Sequence, residues 1–216
     1  MKKIYLLFFI GLFCSLSVEA KKVEVEGRII FANDTISVKM KIPVTLLTLD
    51  LKYDELQYKI KYYDAKGKKC VLKPDGAKEV RFKYKHQEVR MLSRKKIAGV
   101  GNLFSANKNI FLRLKIDGPL QLFYFYCKQN YYGAHNNSMN VMFGGFTVDD
   151  YKFLIQKKGG ELKCPKLFTF RKEMIEYLQD CPDIVRRIKN KEFKKRDLEE
   201  LVRLYNKEYR KLKSGV

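Results

Sequence analysis

Between residues 23 and 163, apolar and polar side chains alternate along the chain, and this period of two constrains the fold more than any other feature. The alternation is clearest in residues 36–42, 56–62, 80–85 and 110–116. Successive side chains of a β-strand point to opposite faces of the sheet, so the pattern is typical of strands with one packed face and one solvent-facing face. It predicts antiparallel β-structure for this part of the chain.

Short segments rich in Gly, Pro, Asn and Asp separate the alternating runs. These residue types favour turns because they adopt unusual backbone angles or bond to the nearby backbone. The spacing predicts about eight to ten short strands joined as hairpins. The turn segments are residues 33–35, 66–68, 74–76, 117–119 and 159–160.

After Pro165 the apolar residues recur every three to four positions, which is typical of one face of a helix. Asp180 is expected to cap a second helix, and Asp197 with Glu200 is expected to open a third as a capping box. The pattern predicts three helices between residues 170 and 212. Their apolar faces hold Phe170, Met174, Tyr177 and Leu178, then Ile184, Val185 and Ile188, then Leu198, Leu201, Val202, Tyr205, Tyr209 and Leu212.

The two periods together predict an α+β fold: an antiparallel β-rich domain over residues 21–165 and a helical C-terminal cap over residues 166–216. Short helices of this kind are not stable alone, so they are expected to dock on the sheet or on each other. Truncating a buried leucine in such a cap is then expected to destabilise the whole protein.

The first residues resemble a secretory signal peptide. Lys2 and Lys3 precede an apolar run over residues 4–16, and Val18 and Ala20 stand where small residues precede a cleavage site. Cleavage is expected after Ala20. No later stretch reaches the roughly 20 apolar residues that a membrane-spanning helix needs. The sequence therefore predicts an exported protein of the periplasm or cell surface.

Basic residues outnumber acidic ones, 45 to 24, which gives a formal net charge of +21. Such a charge favours contact with anionic polymers or surfaces through electrostatic steering and counterion release. The alternative is that lysine and arginine fill solvated faces. The candidates for an anionic ligand are the basic residues at solvent-facing positions of three predicted strands: Lys39, Lys41, Lys59, Lys61, Arg81, Lys83 and Lys85.

Four cysteines follow the predicted signal peptide, and an even number in an oxidising compartment permits two disulfides with three connectivities. No pair has the CxxC spacing of a zinc site or of a redox motif. The disulfide candidates are Cys70, Cys127, Cys164 and Cys181.

Cys181 begins the second predicted helix, where a thiol can be activated. Asp180 and Asp183 flank it with negative charge, which opposes formation of a thiolate. A disulfide to Cys164 is unfavourable because the first helix separates the two residues by about 15 Å. Cys181 is therefore expected to be structural, either in a disulfide with another partner or as a buried thiol.

No catalytic set can be assembled from the sequence. His86 and His135 lack a companion nucleophile signal, and neighbouring Asp149 and Asp150 on a strand would point to opposite faces. Residues 131–147 have no clear period and predict a long loop, which is either functional or a variable tip. The sequence predicts a protein that is not an enzyme and that holds no metal and no cofactor.

Several segments resemble, in the same order, a widespread group of small secreted proteins of Gram-negative bacteria. The most specific is YLQDCPDIVRRIKNKEFKKRDLEELVRLYN at 177–206, which contains the Asp-Cys-Pro and Tyr-Asn motifs. The resemblance implies an exported protein without catalytic residues. The other segments are GRIIFANDTISVKM (27–40), CVLKPDGAKEVRF (70–82), RMLS (90–93), FLRLKIDGPLQLFYFY (111–126) and YKFLIQKKGGEL (151–162).

Members of this group often carry a further cysteine just after the Tyr-Asn motif, as a partner for the cysteine at the helix start. This chain has Lys207, Glu208 and Tyr209 there instead, so the group's disulfide is not expected for Cys181.

Two hypotheses about function follow. The first is a non-enzymatic accessory or binding module of the periplasm or cell surface, whose partner is unknown, with an envelope protein and an anionic polymer as the candidates. The alternative is a module that binds an anionic polymer (surface polysaccharide, lipopolysaccharide or nucleic acid) through a basic face of the sheet.

Overall fold

The structure is a computed structural model, and it leaves several predicted features outside its described residues. These are the signal peptide at residues 1–20, His135, and most of the loop predicted at 131–147. The two ends of that predicted loop belong to strands. The described residues are 21–97, 108–131 and 146–214, with the side chains of 128–131 and 146–149 excepted.

Nine strands in the described ranges form one sheet, in which all neighbours are antiparallel, and this confirms the α+β class and the β-rich body. The spatial order is β4-β3-β2-β1-β5-β6-β7-β8-β9. Two meanders, β1–β4 and β5–β9, are thus joined by the pairing of β1 with β5. The strands are β1 (Lys22–Ile30), β2 (Thr35–Pro43), β3 (Ile60–Tyr63), β4 (Lys69–Leu72), β5 (Glu79–Tyr84), β6 (Gln87–Lys95), β7 (Asn109–Ile116), β8 (Leu120–Tyr131) and β9 (Phe146–Lys157).

The sheet curls so that strands far apart in its order share one core. Leu72 on the edge strand β4 belongs to the same buried cluster as Met40 on β2, Phe82 on β5 and Phe111 on β7. We call the side of the sheet that carries these residues the inner face and the opposite side the outer face. The alternation at residues 36–42 and 80–84 is confirmed, because its apolar members face this core.

Strands β7–β9 are packed on both faces, unlike the first meander. On the inner face, Leu122 and Ile155 contact the C-terminal helices. On the outer face, Phe123 and Leu154 pack with Leu162 from the segment after β9. Because both sides are covered, the apolar residues of β7 and β8 form nearly continuous runs rather than a strict alternation.

The described residues contain the three predicted C-terminal helices and one further short helix, which follows β2. Leu198, Leu201, Val202 and Tyr205 are buried as expected, whereas Leu212 is 56% exposed and does not belong to the packed face. The helices are α1 (Tyr53–Leu56), α2 (Phe170–Tyr177), α3 (Pro182–Lys189) and α4 (Leu198–Ser214), with 3-10 turns at Pro74–Gly76 and Lys195–Asp197.

The predicted helix caps are wrong in detail. Cys181, not Asp180, is the N-cap residue of α3, and it makes no side-chain capping bond. Asp180 instead accepts hydrogen bonds from the Tyr205 hydroxyl at 2.8 Å and from the Lys157 ammonium at 2.7 Å, and so links α4 to β9. Asp197 accepts a bond from the backbone N–H of Lys194 at 2.8 Å within the 3-10 turn before α4, rather than in a box with Glu200.

Residues 56–59 do not belong to the predicted strand. Leu56 ends α1, and the strand begins only at Ile60. Gln57, which the alternation places on a solvent-facing side, is completely buried. The alternation of apolar and polar residues here has another origin. A helix ends at Leu56, and Gln57 then lies between strands β7 and β8, in a position that we call the wedge.

Gln57 takes the place of a strand partner where β7 and β8 separate. The register between these strands ends at the pair Arg113–Tyr124. Beyond it, the side-chain amide of Gln57 accepts from the N–H of Tyr126 at 2.6 Å and donates to its carbonyl at 2.9 Å. The backbone carbonyl of Gln57 accepts from the N–H of Phe111 at 3.0 Å. One residue thereby satisfies backbone groups of both strands.

Asn206 on α4 uses the same device at the other end of β8. Its amide accepts from the N–H of Leu120 at 2.8 Å and donates to the carbonyl of that residue at 2.9 Å. Gly118 is required beside it, because a Cβ atom at this position would lie 2.5 Å from Nδ2 of Asn206. The helical cap is therefore attached to the sheet by directional bonds as well as by apolar packing.

We expect Leu201→Ala to lower the melting temperature of the whole protein in one cooperative transition, measured by calorimetry. Leu201 is buried between helices and sheet, and such truncations typically cost about 2–5 kcal/mol. Leu212→Ala on the same helix is the control and should melt like wild type. A wild-type melt for Leu201→Ala would show that the helices do not stabilise the sheet.

Gln57→Met should also destabilise the protein, because it keeps the side-chain length but leaves the N–H and carbonyl of Tyr126 unpaired. Each buried unpaired group costs about 1–3 kcal/mol. The free energy of unfolding from urea titration measures the effect. Gln179→Met, at an exposed glutamine, is the control. Equal unfolding free energies for Gln57→Met and wild type would contradict the wedge role.

Candidate functional site

The outer face of the first meander and β5 holds five of the seven basic residues predicted to contact an anionic ligand. Lys39 and Lys41 lie on β2, Lys61 on β3, and Arg81 and Lys83 on β5. These three strands belong to one sheet, in which β1 separates β2 from β5. The structure thus brings together residues that are as many as 44 positions apart in sequence.

Two of the predicted residues do not belong to this face. Lys59 lies before β3, outside the sheet. Lys85 lies with His86 in the turn between β5 and β6, where both have positive φ angles. Its ammonium donates to the carbonyl of Thr48 at 2.9 Å and contacts Asp50 at 3.3 Å. The alternation fails for Lys85 because a tight hairpin turn re-aims its side chain.

Acidic residues of neighbouring strands interrupt the basic face. Glu24 on β1 lies opposite Lys41, and their side chains form an ion pair of 3.5 Å. Glu26 on β1 lies opposite Lys39. The face is therefore a mosaic of charges with local basic clusters, and not the continuous basic surface that the sequence suggests.

An open groove of about 840 Å³ runs over the centre of this face. Its basic lining consists of Arg28, Lys39, Arg81 and Lys83, and Tyr63 contributes an aromatic wall. Three carboxylates also line it: those of Glu26, Asp64 and Glu88. A groove of this size and openness fits an extended ligand that carries several polar groups.

Four lysines from four adjacent strands surround a smaller cavity of about 220 Å³. They are Lys22, Lys41, Lys61 and Lys69, and Glu24 is the one acidic residue in the described lining. We call them the lysine cluster. The hydroxyl of Tyr63 raises the pKa of Lys41 by hydrogen bonding and charge, and Glu24 adds to this.

Sequence reasoning missed Lys22, Lys69 and Arg28 as members of the face. Lys22 and Arg28 lie on β1, where Glu24 and Glu26 alternate with Val23 and Val25, so the period of two was a usable signal. For Lys69 the signal was the glycine-containing turn before it, which predicts a hairpin with β3.

Three arginines lie side by side across the outer face. Arg28 on β1 is the register partner of Arg81 on β5, and Arg81 is the partner of Arg90 on β6. Like charges directly opposite one another destabilise a sheet unless a counter-charge joins them. Glu79 supplies it, since its carboxylate accepts from Nε of Arg81 and from Nε of Arg90, each at 2.6 Å.

Glu79 is the electrostatic centre of this arginine row. Burial alone would raise the pKa of its carboxyl, but hydrogen bonds from Arg90 and Arg81 outweigh this effect and lower the pKa. Arg90 extends the network to Asp117 at 2.7 Å. The second arginine of the pair, Arg81, lines the open groove, so the network fixes part of the groove wall.

A second cleft, of about 580 Å³, has tyrosines in its walls and lies near α1. Tyr53 stacks on Tyr126 with ring centroids 4.5 Å apart, and Arg113 covers Tyr53 and donates to the Tyr126 hydroxyl at 2.8 Å. Burial raises the pKa of Tyr53 to about 12. The tyrosines therefore stay protonated at neutral pH and hold Arg113 in place.

The predicted disulfides are not formed. All four cysteines in the described part of the chain are free thiols. Cys181 is fully buried among the helix–sheet contacts, and this burial raises the pKa of its thiol. Of the alternatives open for Cys181, the structure shows the buried thiol. Cys127 and Cys164 pack against the outer-face cluster of β7–β9, and Cys70 lies on β4.

The described residues contain neither a candidate metal site nor a candidate membrane-spanning helix. No group of three or more His, Cys, Asp and Glu residues there could hold a metal ion. No helix in those ranges combines the length and apolar character needed to cross a membrane. Comparison with family models, curated proteins and solved structures finds no match to the chain.

We expect Glu79→Gln to destabilise the protein by about 1–3 kcal/mol at neutral pH, since it removes the charged partner of two arginines. Folding lowers the pKa of Glu79, so its ionised carboxylate stabilises the fold at pH values above its ordinary pKa of 4.5. This contribution is lost as the pH falls through the folded-state pKa. Urea unfolding at stepwise lower pH should show the variant converging on wild type.

Glu88→Gln is the matched control, because Glu88 lies on the same face but is exposed. Its unfolding free energy should follow wild type at every pH. A Glu79→Gln deficit that stays constant on acidification would contradict the ionic role of Glu79.

Proposed function

We propose that the protein is an exported, non-enzymatic binding module of the periplasm or cell surface, and that its ligand is an anionic polymer. The sequence supports export through the predicted signal peptide at residues 1–20 and through the resemblance to small secreted proteins of Gram-negative bacteria. The outer face supports binding, because a rigid sheet presents its charged side chains around an open groove.

The lysine cluster is the observation that carries the proposal. Neighbouring strands of a sheet lie about 4.8 Å apart, and Lys41 on β2 and Lys61 on β3 are register partners. Lys22 on β1 and Lys69 on β4 lie two residues to opposite sides of this level, so the four side chains form an oblique row of cations across four adjacent strands. Among the four lysines, Lys41 pairs at 3.5 Å with Glu24, the one acidic residue of the described lining. A polymer with repeated anionic groups can contact several of them at once and release counterions from each contact.

The groove beside the cluster supports the same ligand class. The basic positions continue toward the arginine row with Lys39, Arg81 and Lys83. Tyr63 lines the groove and contacts Lys41 of the lysine cluster, whose ammonium lies 5.1 Å from the ring centroid. Histidine and cysteine are lacking in the described lining of the groove. The lining offers ionic and hydrogen-bonding groups, which suit the binding of a ligand with several polar groups.

Within this class, surface polysaccharide and lipopolysaccharide fit better than nucleic acid. Binding of single-stranded nucleic acid generally uses several aromatic rings beside a basic groove. The described groove lining has Tyr63 and Phe82, and Phe82 is buried in the core. An envelope protein remains the alternative partner.

We expect the protein to bind a labelled heparin oligosaccharide with an affinity that falls as salt is added. The triple variant Lys41→Gln, Lys61→Gln, Lys69→Gln should weaken binding and reduce the slope of log K against log salt by about two to three, roughly 0.7–0.9 per lost contact. Fluorescence anisotropy over a series of salt concentrations measures both quantities.

A triple variant with the same charge change, Lys189→Gln, Lys191→Gln, Lys207→Gln on the helical side, is the control, and its slope should stay near that of wild type. If both triple variants lose the same affinity, the attraction is due to net charge alone and the site is wrong. Absence of salt-dependent binding by wild type would reject the anionic polymer and leave the envelope protein as the partner.

A further inference from the structure

Two apolar side chains are exposed to solvent in the segment that joins the sheet to the helical cap. Phe168 is 99% exposed and Leu167 is 63% exposed. An isolated exposed leucine is ordinary on protein surfaces, but a wholly exposed phenylalanine places a large apolar area in water. Since hydration of this area is unfavourable, the pair marks a contact site.

The backbone of this segment is held in place. Pro165 and Phe170, on either side, are buried. The carboxylate of Glu173 accepts a bond from the N–H of Lys166 at 3.1 Å and a second bond from the Thr169 hydroxyl. These bonds fix the backbone of residues 166–169, a loop that we call the apolar tip. Phe168 is therefore presented with little further ordering of the backbone on binding.

Exposed cations surround the apolar tip in sequence. Lys166 precedes Leu167, and Arg171 and Lys172 begin α2 just after it. Lys163, also exposed, lies over the ring of Tyr177 at 4.6 Å from its centroid. The carboxylate closest in sequence, Glu173, is engaged by the loop itself. The segment therefore presents an apolar centre with a basic border to a partner.

We propose that the apolar tip anchors the protein to an anionic lipid surface. Phe168 and Leu167 enter the boundary between headgroups and acyl chains, and Lys166, Arg171 and Lys172 contact the anionic headgroups. The number of apolar side chains favours lipid over protein, since a stable protein interface buries about 800 Å² per partner, much more than two side chains supply. The inference does not depend on the polymer-binding site of the outer face.

A second exposed loop provides an internal comparison. Leu47 is 96% exposed in the segment between β2 and α1. The acidic Asp50 follows it, and the nearest described cation in contact with that loop, Lys85, is paired with Asp50. Leu47 therefore has the apolar exposure of Phe168 without a basic border, and no lipid contact is assigned to it.

The test is flotation of the full chain with vesicles of equal parts phosphatidylglycerol and phosphatidylcholine, and with vesicles of phosphatidylcholine alone. Wild type should bind the anionic vesicles and bind the neutral ones far more weakly. Phe168→Ser should lower the partition coefficient about tenfold or more, from the lost burial of one aromatic side chain. Leu47→Ser should bind like wild type.

Folding of Phe168→Ser is checked by its melting temperature, which should equal that of wild type because the side chain makes no packed contact. In the triple variant of Lys41, Lys61 and Lys69, adding Phe168→Ser should still reduce vesicle binding. Failure of the polymer site and failure of the apolar tip can therefore be distinguished. Equal vesicle binding by wild type and Phe168→Ser would overturn the proposal. The proposal would also be overturned if sedimentation showed that Phe168 holds two copies of the chain together as a dimer and the protein did not bind vesicles.

Discussion

Two side-chain amides complete the hydrogen bonding of β8, and the rest of the structure is organised around them. Gln57 pairs with the backbone of Tyr126 and Asn206 with that of Leu120, across sequence separations of 69 and 86 residues. Both amides are buried. An unpaired backbone group in this position would cost as much as a lost core contact, so these bonds select one docking geometry for α1 and one for α4. Apolar packing alone, being non-directional, would specify neither.

Local periodicity was enough to predict much of the fold. The alternation at residues 36–42 identified β2 and its buried face, and the helical period after Pro165 identified the cap. The failure at Gln57 has a physical cause. A glutamine whose amide replaces a strand partner is polar in sequence and buried in space, and its partner Tyr126 is fixed only by tertiary structure. No local pattern carries that information.

The candidate site likewise has one part that the sequence predicts and one part that it does not. Which face a side chain occupies follows from counting along one strand, as it did for Lys39 and Arg81. Which residues become neighbours depends on strand order. Arg28 lies beside Arg81 because β1 pairs with β5. This pairing joins the two meanders, and no turn residues in the sequence predict it. Glu79, which joins Arg81 to Arg90, could not be recognised before that order was known.

The central position of β1 has a consequence for how the chain assembles. β1 leaves the ribosome, and any export channel, before the other described strands, yet it is bonded on both sides, by β2 and by β5. The hairpin with β2 can close at once, whereas the other edge of β1 stays open until residues 79–82 arrive. During that interval the edge can pair with any extended segment, including β5 of another molecule. Such an exchange would produce intertwined dimers with native strand pairing, a hazard that increases with concentration.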